Sequence, residues 1–332
     1  MMPVRATSVR TARAVRGLSV IEVMVSLVLG LLVVGAAALL FSGTRVANRQ
    51  GENLARVGES VRTSYDMMAR EIREAGGAPC DARLNTANVL GVADWWGTWG
   101  EPVRGFDGST AFAGAAFGTA VGERVNGTHA IVVRYGQTLD ALRVTAHDAT
   151  TSRRFTVLPA AHGVVAGDVL MVCDFRQMAM FSASSTASGT IDHATGGAAP
   201  ANCTANLGLP VTCGAGTARE FAVGSLLARF VAAGWYIGNN GRPETGGRSL
   251  YRVTRDGFEE VAEGVRDLQL SFLQDAGTDY VAATAVTDWT AVLAVRVDLT
   301  YETPEAAMST ASATARLQRP VGFTANLRNM MP

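Results

Sequence analysis

Four cysteines are the first residues whose chemistry needs an assignment: Cys80, Cys173, Cys203 and Cys213. None forms a C-x-x-C pair and no histidine clusters beside them, so the spacing of a zinc site is absent. An even cysteine count in an exported chain favours disulfides, and four cysteines allow three pairings. We favour Cys203–Cys213 because its interval is short, which leaves Cys80 with Cys173. The alternative is that Cys173, in the apolar run DVLMVCD, is a buried free thiol, and both interpretations stay open.

Other reactive side chains do not form a recognisable catalytic pattern. The sequence has no G-x-S-x-G elbow, Walker A loop, H-E-x-x-H pair or EF-hand loop. Asp168 and Asp174 flank a strand-like run and are interpreted as solvated strand ends. The histidines are scattered and are interpreted as ordinary surface or core residues: His129, His147, His162 and His193. We therefore predict no enzyme activity, no cofactor and no metal.

The charge balance argues against a general nucleic-acid binder. The 332 residues carry a formal net charge of zero and only 17% charged side chains, whereas such binders show a strong basic excess. A chain of this length can bury a substantial core.

Glu22 lies inside a long apolar run. Residues 18–41 read LSVIEVMVSLVLGLLVVGAAALLF, apolar except for two serines and Glu22. As a helix this run is roughly 36 Å long, enough to cross a bilayer core of about 30 Å. Four arginines and no acid precede it in residues 1–17, which holds the N-terminus in the cytoplasm and exports the rest as a single-pass membrane protein. A carboxylate in lipid is costly and indicates function; the alternative is that Glu22 snorkels to the nearby interface.

The boundary before the apolar run distinguishes it from an ordinary secretory signal, which has a shorter run and a small-residue cleavage site on its far side. Here Gly17 stands between the charges and the apolar run. The stretch RGLSVIEVMVSL resembles the class III signal of type IV prepilins and type II secretion pseudopilins. The resemblance implies that a prepilin peptidase cuts after Gly17 and that Leu18 becomes a methylated N-terminus. It also implies that Glu22 pairs with the N-terminal amine of a neighbouring subunit.

The helical pattern continues beyond the apolar run. Apolar residues recur at spacings of three and four and predict one buried stripe: Leu54, Val57, Val61, Tyr65, Met68 and Ile72. Gly76, Gly77 and Pro79 end the pattern, so we expect one helix over residues 18–75. The predicted organisation is a leader (1–17), a transmembrane helix (18–42), an amphipathic continuation (43–76) and a β-rich head (77–332).

The head reads as short β-like runs separated by turn residues. Predicted strands cover 130–136, 141–146, 154–159, 168–174, 179–183, 227–238, 249–254, 267–273, 291–301 and 315–328. Residues 77–128 and 184–220 are predicted as loops. The fold class is therefore α+β, a pilin-like long helix packed on a mainly antiparallel sheet. The cluster Trp95, Trp96 and Trp99 is either an exposed contact patch or buried under its own loop.

The head also carries a resemblance. Five segments of the chain are similar, in order and kind, to segments of PilW-type minor pilins. They are RTSYDMMAREIREAGGAPC, AGDVLMVCD, WYIGNNGRPETGGRSLYR, EEVAEGVRDLQLSF and FTANLRN. The Trp-rich stretch before residue 128 and the loop at 184–202 depart from that family. The resemblance implies a role in type IV pilus assembly, twitching motility and adhesion, first in the inner membrane with a periplasmic head and then at the pilus tip. Implied partners are the major and other minor pilins, the inner-membrane assembly platform and a PilY-type tip adhesin.

Three other functions are alternatives to pilus assembly. A type II secretion pseudopilin has a similar N-terminus. A DNA-uptake pilin would need a basic groove bearing aromatic side chains. A membrane-anchored enzyme would need a catalytic constellation, which the sequence does not display.

Overall fold

A computed structural model describes residues 17, 19–81, 83–91, 94–275, 277–305 and 316–330. Its first element is a single helix, α1 (Val20–Glu74). Two compact units divide the chain, one ending at Glu52 and the other beginning at Asn53. The leader residues 1–16 and Leu18 lie outside the described residues.

A left-handed glycine ends α1. Gly76 has a φ of 74°, a conformation that residues with a Cβ rarely adopt. Its N–H donates to the carbonyl of Arg134 at 2.9 Å, and the Gly77 N–H donates to the Glu74 carbonyl at 2.8 Å. The helix therefore stops where the glycine pattern predicts.

Fourteen strands are described in the second unit. They are β1 (Thr86–Asn88), β2 (Val103–Phe106), β3 (Ala130–Asp148), β4 (Arg154–Leu158), β5 (Val169–Cys173), β6 (Met178–Ser182), β7 (Ser185–Ala187), β8 (Thr190–Asp192), β9 (Leu226–Asn239), β10 (Arg248–Thr254), β11 (Gly257–Glu263), β12 (Val265–Gln274), β13 (Val292–Glu302) and β14 (Gln318–Asn326). The larger sheet runs β1-β6-β5-β9-β3-β4-β8-β7, with β2 beside β3, β10 beside β9 and β11 beside β10. The smaller sheet runs β12-β13-β14. Strand β1 is parallel to β6, and the other pairs of described strands are antiparallel, which gives the predicted α+β class.

Several strand predictions need correction. Residues 130–136 and 141–146 belong to one continuous strand, β3, because β9 is long enough to pair with β3 on both sides of the polar stretch between them. The predicted loops contain strands β1, β2, β7 and β8. Strand β11, an exposed hairpin partner of β10, was not predicted because its side chains do not alternate between apolar and polar.

The second unit buries one face of the helix segment from Asn53 to Glu74. Val57, Met68 and Ile72 join a core cluster that includes Trp235 of β9 and Val297 of β13. The predicted stripe is partly wrong, since Leu54 is 47% exposed and Tyr65 is 39% exposed. Tyr65 packs edge-on against Phe323 at 5.1 Å. Polar or small residues are buried instead where the helix backbone lies close to the sheets: Asn53, Ser64, Ala69 and Glu71.

Both disulfides of the favoured pairing are present. Cys80 is bonded to Cys173, and Cys203 is bonded to Cys213. The first joins the chain just after α1 to the end of β5. The second closes a short loop, so Cys173 is not a free thiol.

Candidate functional site

The first part of α1 presents an apolar surface to solvent. Its large apolar side chains are exposed: Val20 at its start is 76% exposed, and Leu39 further along is 75% exposed. Every residue from 19 to 52 is exposed. By length and composition this helix could cross a membrane. A contiguous apolar surface of this size requires lipid or other apolar chains to cover it.

Glu22 lies in the first turn of this helix and closes a capping box. The backbone N–H of Ser19 donates to Glu22 Oε2 at 3.1 Å, and the Ile21 N–H donates to Ser19 Oγ at 3.3 Å. Two backbone donors that lack helical partners are thereby satisfied, and the carboxylate lies at the positive end of the helix dipole. Within the described residues no arginine forms an ion pair with Glu22.

Glu22 is followed, along one face of α1, by a seam of two small residues, Ser26 and Gly30. Glu22, Ser26 and Gly30 recur every four residues, so they share one helix face, and Ser26 Oγ donates to the Glu22 carbonyl at 2.6 Å. They line a shallow groove of about 440 Å³ together with Leu27 and Leu31. The groove allows another helix to approach closely beside the carboxylate.

The predicted processing point lies at the start of the described chain. Gly17 is exposed and non-helical, as a cleavable bond needs to be. Leu18, the predicted mature N-terminus, lies outside the described residues.

Glu71, near the other end of α1, forms a buried ion pair. Its Oε1 accepts from Arg252 Nε at 2.9 Å and from the Tyr135 hydroxyl at 3.2 Å, while Oε2 accepts from Trp235 Nε1 at 2.7 Å. These partners lie on β10, β3 and β9, so one carboxylate links the helix to three neighbouring strands. Both oxygens are satisfied, which a buried charge requires.

The titration of its neighbours reflects this buried charge. Burial, and then the negative charge of Glu71, raise the pKa of Tyr135 above its usual range. Burial alone would lower the pKa of Arg252, but the hydrogen bonds and charge of Glu71 raise it overall. Arg252 therefore stays charged throughout the neutral range.

Searches of protein-family models, curated proteins and solved structures find no match to this chain.

Two histidines form a buried pair that the sequence did not predict. His147 Nε2 lies 2.9 Å from His193 Nε2. The Phe221 N–H donates to His147 Nδ1 at 3.0 Å, and His193 Nδ1 lies 3.0 Å from the Ala205 carbonyl oxygen. These contacts fit one arrangement of neutral rings, in which His147 Nε2–H donates to His193 Nε2 and His193 Nδ1–H donates to Ala205. Burial lowers the pKa of His147 to about 4 and that of His193 to about 3.

Two other sequence interpretations are decided by the structure. Trp96 and Trp99 are buried, so the Trp cluster is not an exposed contact patch. Asp168 and Asp174 are not simply solvated, because they form ion pairs with Arg229 at 2.9 Å and with Arg219 at 2.6 Å. In the part of the chain that the structure describes, no group of three or more His, Cys, Asp or Glu side chains is placed to hold a metal.

Proposed function

We propose that this chain is a minor pilin of the PilW type, made as a precursor, cut after Gly17 and built into a type IV pilus through α1. The observation that carries the proposal is the exposed apolar segment at the start of α1, residues 20–41, whose single carboxylate, Glu22, lies in the first turn. A secreted soluble protein would leave this surface uncovered, whereas bundled helices bury it. The pilin-like arrangement of a long helix and an antiparallel head is consistent with the same function.

Glu22 is proposed to select and align neighbouring subunits. In the isolated chain it accepts the N–H of Ser19, which partly offsets the cost of placing a carboxylate in lipid. A cationic N-terminal amine from another subunit provides a stronger, charge-assisted partner. The seam through Ser26 and Gly30 lets that subunit's helix approach without steric conflict.

The proposed partners follow from this mode of assembly. The prepilin peptidase and the assembly platform act on the chain in the inner membrane, and the major and other minor pilins pack against α1. The head is exported and carried to the pilus tip, where a PilY-type adhesin is the proposed neighbour.

The mature N-terminus tests the proposed processing. Mass spectrometry of the protein purified from its own membranes should find a first residue of N-methylated Leu18. An intact Met1, or a cut beyond residue 40, would contradict the proposal. Replacing Gly17 by alanine should leave full-length precursor in the membrane.

A deletion strain distinguishes the pilus from the secretion pseudopilus. We expect loss of surface pili and twitching with protein secretion unchanged. Loss of secretion with pili intact would assign the chain to a type II pseudopilus instead.

A further inference from the structure

A cavity of about 750 Å³ opens in the second unit between β1, the Trp-containing loop and the start of β13. Its size is within the range of small-molecule sites in proteins. Asn85 and Thr86 form one wall, Thr98 and Trp99 a second, and Thr290 the third. It involves no residue of the exposed part of α1, through which assembly is proposed.

Partly buried hydrogen bonds hold the walls in place. Arg134 of β3 donates to the carbonyl of Trp95 at 2.7 Å and to that of Glu101 at 2.8 Å, which fixes both ends of the loop carrying Trp99. Asn88 Nδ2 donates to the Gly97 carbonyl at 2.8 Å and ties the same loop to β1. The cavity is therefore pre-formed and does not have to order itself when a ligand enters.

Four polar groups that line the cavity have no partner among the described residues. They are the Arg83 guanidinium, the Asn85 amide, the Thr98 hydroxyl and the Trp99 indole N–H. The hydroxyl groups of Thr86 and Thr290 donate to the Leu84 carbonyl and to Asp288 Oδ1, and their oxygens can still accept. Both donors and acceptors thus line one space.

The charge of the lining is balanced. Arg83 and Asp275 are the charged residues that line the cavity, and their formal charges cancel, so the cavity does not select an anion as an arginine cluster would. Neutral amides, hydroxyls and an indole N–H match a ligand that offers many hydroxyl groups as both donors and acceptors. Trp99 packs edge-on against Phe230, with the ring centroids 6.1 Å apart. Its indole N–H is the hydrogen-bond donor that it offers to the cavity.

We propose that this cavity binds a neutral saccharide, such as a segment of a glycan. The hydrogen bonds come from Asn85, Thr98 and Trp99, and Thr86 and Thr290 accept from the sugar hydroxyls. The pilus would then carry a receptor in its own subunit, separate from any adhesin bound to it.

Saturation-transfer NMR on the full chain tests this site. The protein is held in lauryldimethylamine oxide, a detergent without a sugar headgroup, and presented with lactose, cellobiose, N,N′-diacetylchitobiose and maltotetraose. At least one should receive magnetisation and bind with measurable affinity. Thr98→Val and Trp99→Phe should each weaken that binding by about 3- to 10-fold, the loss expected for one hydrogen bond.

Matched variants and ligands make the outcome decisive. Thr324→Val alters an exposed strand residue that does not line the cavity and should leave binding unchanged. Thr98 is itself exposed, so Thr98→Val should fold normally, and an unaltered circular dichroism spectrum checks this. Three results would each overturn the site: no saccharide binds, binding is unaffected by Thr98→Val and Trp99→Phe, or glucose 1-phosphate or a neutral hexapeptide binds in place of the sugars.

Discussion

Two glutamates on one helix have opposite surroundings. Glu22 lies in the exposed segment and is satisfied locally by the N–H of Ser19. Glu71 lies in the docked segment and is satisfied by Arg252, Trp235 and Tyr135 from three strands. Glu71 pairs with a cation of its own chain, Arg252, whereas Glu22 accepts only a backbone N–H.

The difference separates a role of Glu71 in folding from the proposed role of Glu22 in assembly. Glu71 has its full set of partners within the chain, so it contributes to holding the helix on the head. Glu22 forms no ion pair among the described residues, and the apolar side chains around it are exposed as well. The same residue type thus serves internal docking at one end and, in our proposal, recognition of another subunit at the other end.

The largest effect is expected from removing the internal carboxylate. Glu71→Ala leaves the Arg252 guanidinium, whose side chain is 18% exposed, with only the more exposed Glu259 as its carboxylate partner. It also leaves the buried Trp235 indole N–H without its acceptor, and should lower the free energy of unfolding by about 3–5 kcal/mol. Denaturant unfolding followed by tryptophan fluorescence measures it. Glu74→Ala removes an exposed carboxylate and is expected to cost less than about 0.5 kcal/mol. Similar losses in the two variants would contradict the docking role of Glu71.

Acid should destabilise the head through the histidine pair. The folded-state pKa values of His147 and His193, about 4 and about 3, lie below the ordinary 6.5. The unfolded chain therefore binds protons first as pH falls below about 6.5. This contribution to stability is complete above that pH and is lost as the pH falls to about 4 for His147 and to about 3 for His193.

Between pH 7 and pH 5 the expected loss from the two histidines together is about 3–4 kcal/mol. Nearby charges act on the pair as well, with Asp148 raising the pKa of His147 and Arg153 lowering that of His193. The double variant His147→Gln/His193→Gln should flatten the pH dependence of unfolding over this interval. His162→Gln, a change outside the pair, should leave it as in the native chain. An equally steep dependence in the double variant would mean that other groups dominate.

The smallest effect concerns the cap of the exposed segment. Ser19→Ala removes the oxygen that accepts the Ile21 N–H and should cost about 1 kcal/mol of local helix stability. Hydrogen exchange of the amides in the first turn of α1 should then accelerate by about 5-fold. Ser26→Ala provides the control, because its hydroxyl donates to a carbonyl that is already within the helix. Unchanged exchange in Ser19→Ala would show that the capping box does not hold this end.

Local patterns predicted the helix well and its contacts poorly. The run predicted over residues 18–75 is α1, Val20–Glu74, because apolar periodicity and the terminal glycines act within a few residues of each other. Leu54 fits that periodicity but is exposed, since burial depends on where the sheets lie. Glu71 could have been noticed as a charge between Met68 and Ile72, on the face that is buried.

Contacts distant in sequence left no comparable signal. His147 is the second-last residue of β3 and His193 follows β8, and they meet because β4 pairs with both strands. The cavity beside Trp99 likewise joins β1, the Trp-containing loop and β13, which come together only in the folded sheets. Spacing rules for metal or catalytic motifs do not reach over such separations.

Incorporation of Glu22 variants into filaments tests the central claim most directly. Glu22→Gln retains an oxygen that can accept the Ser19 N–H but has no charge, whereas Glu22→Ala loses both. Quantitative mass spectrometry of sheared pili against total membrane should show both variants inserted in the membrane and depleted in pili by about 10-fold or more, since 1.4 kcal/mol of lost charge pairing suffices for that factor. Native incorporation of Glu22→Gln beside depletion of Glu22→Ala would reduce Glu22 to a helix cap, and native incorporation of both would contradict the account.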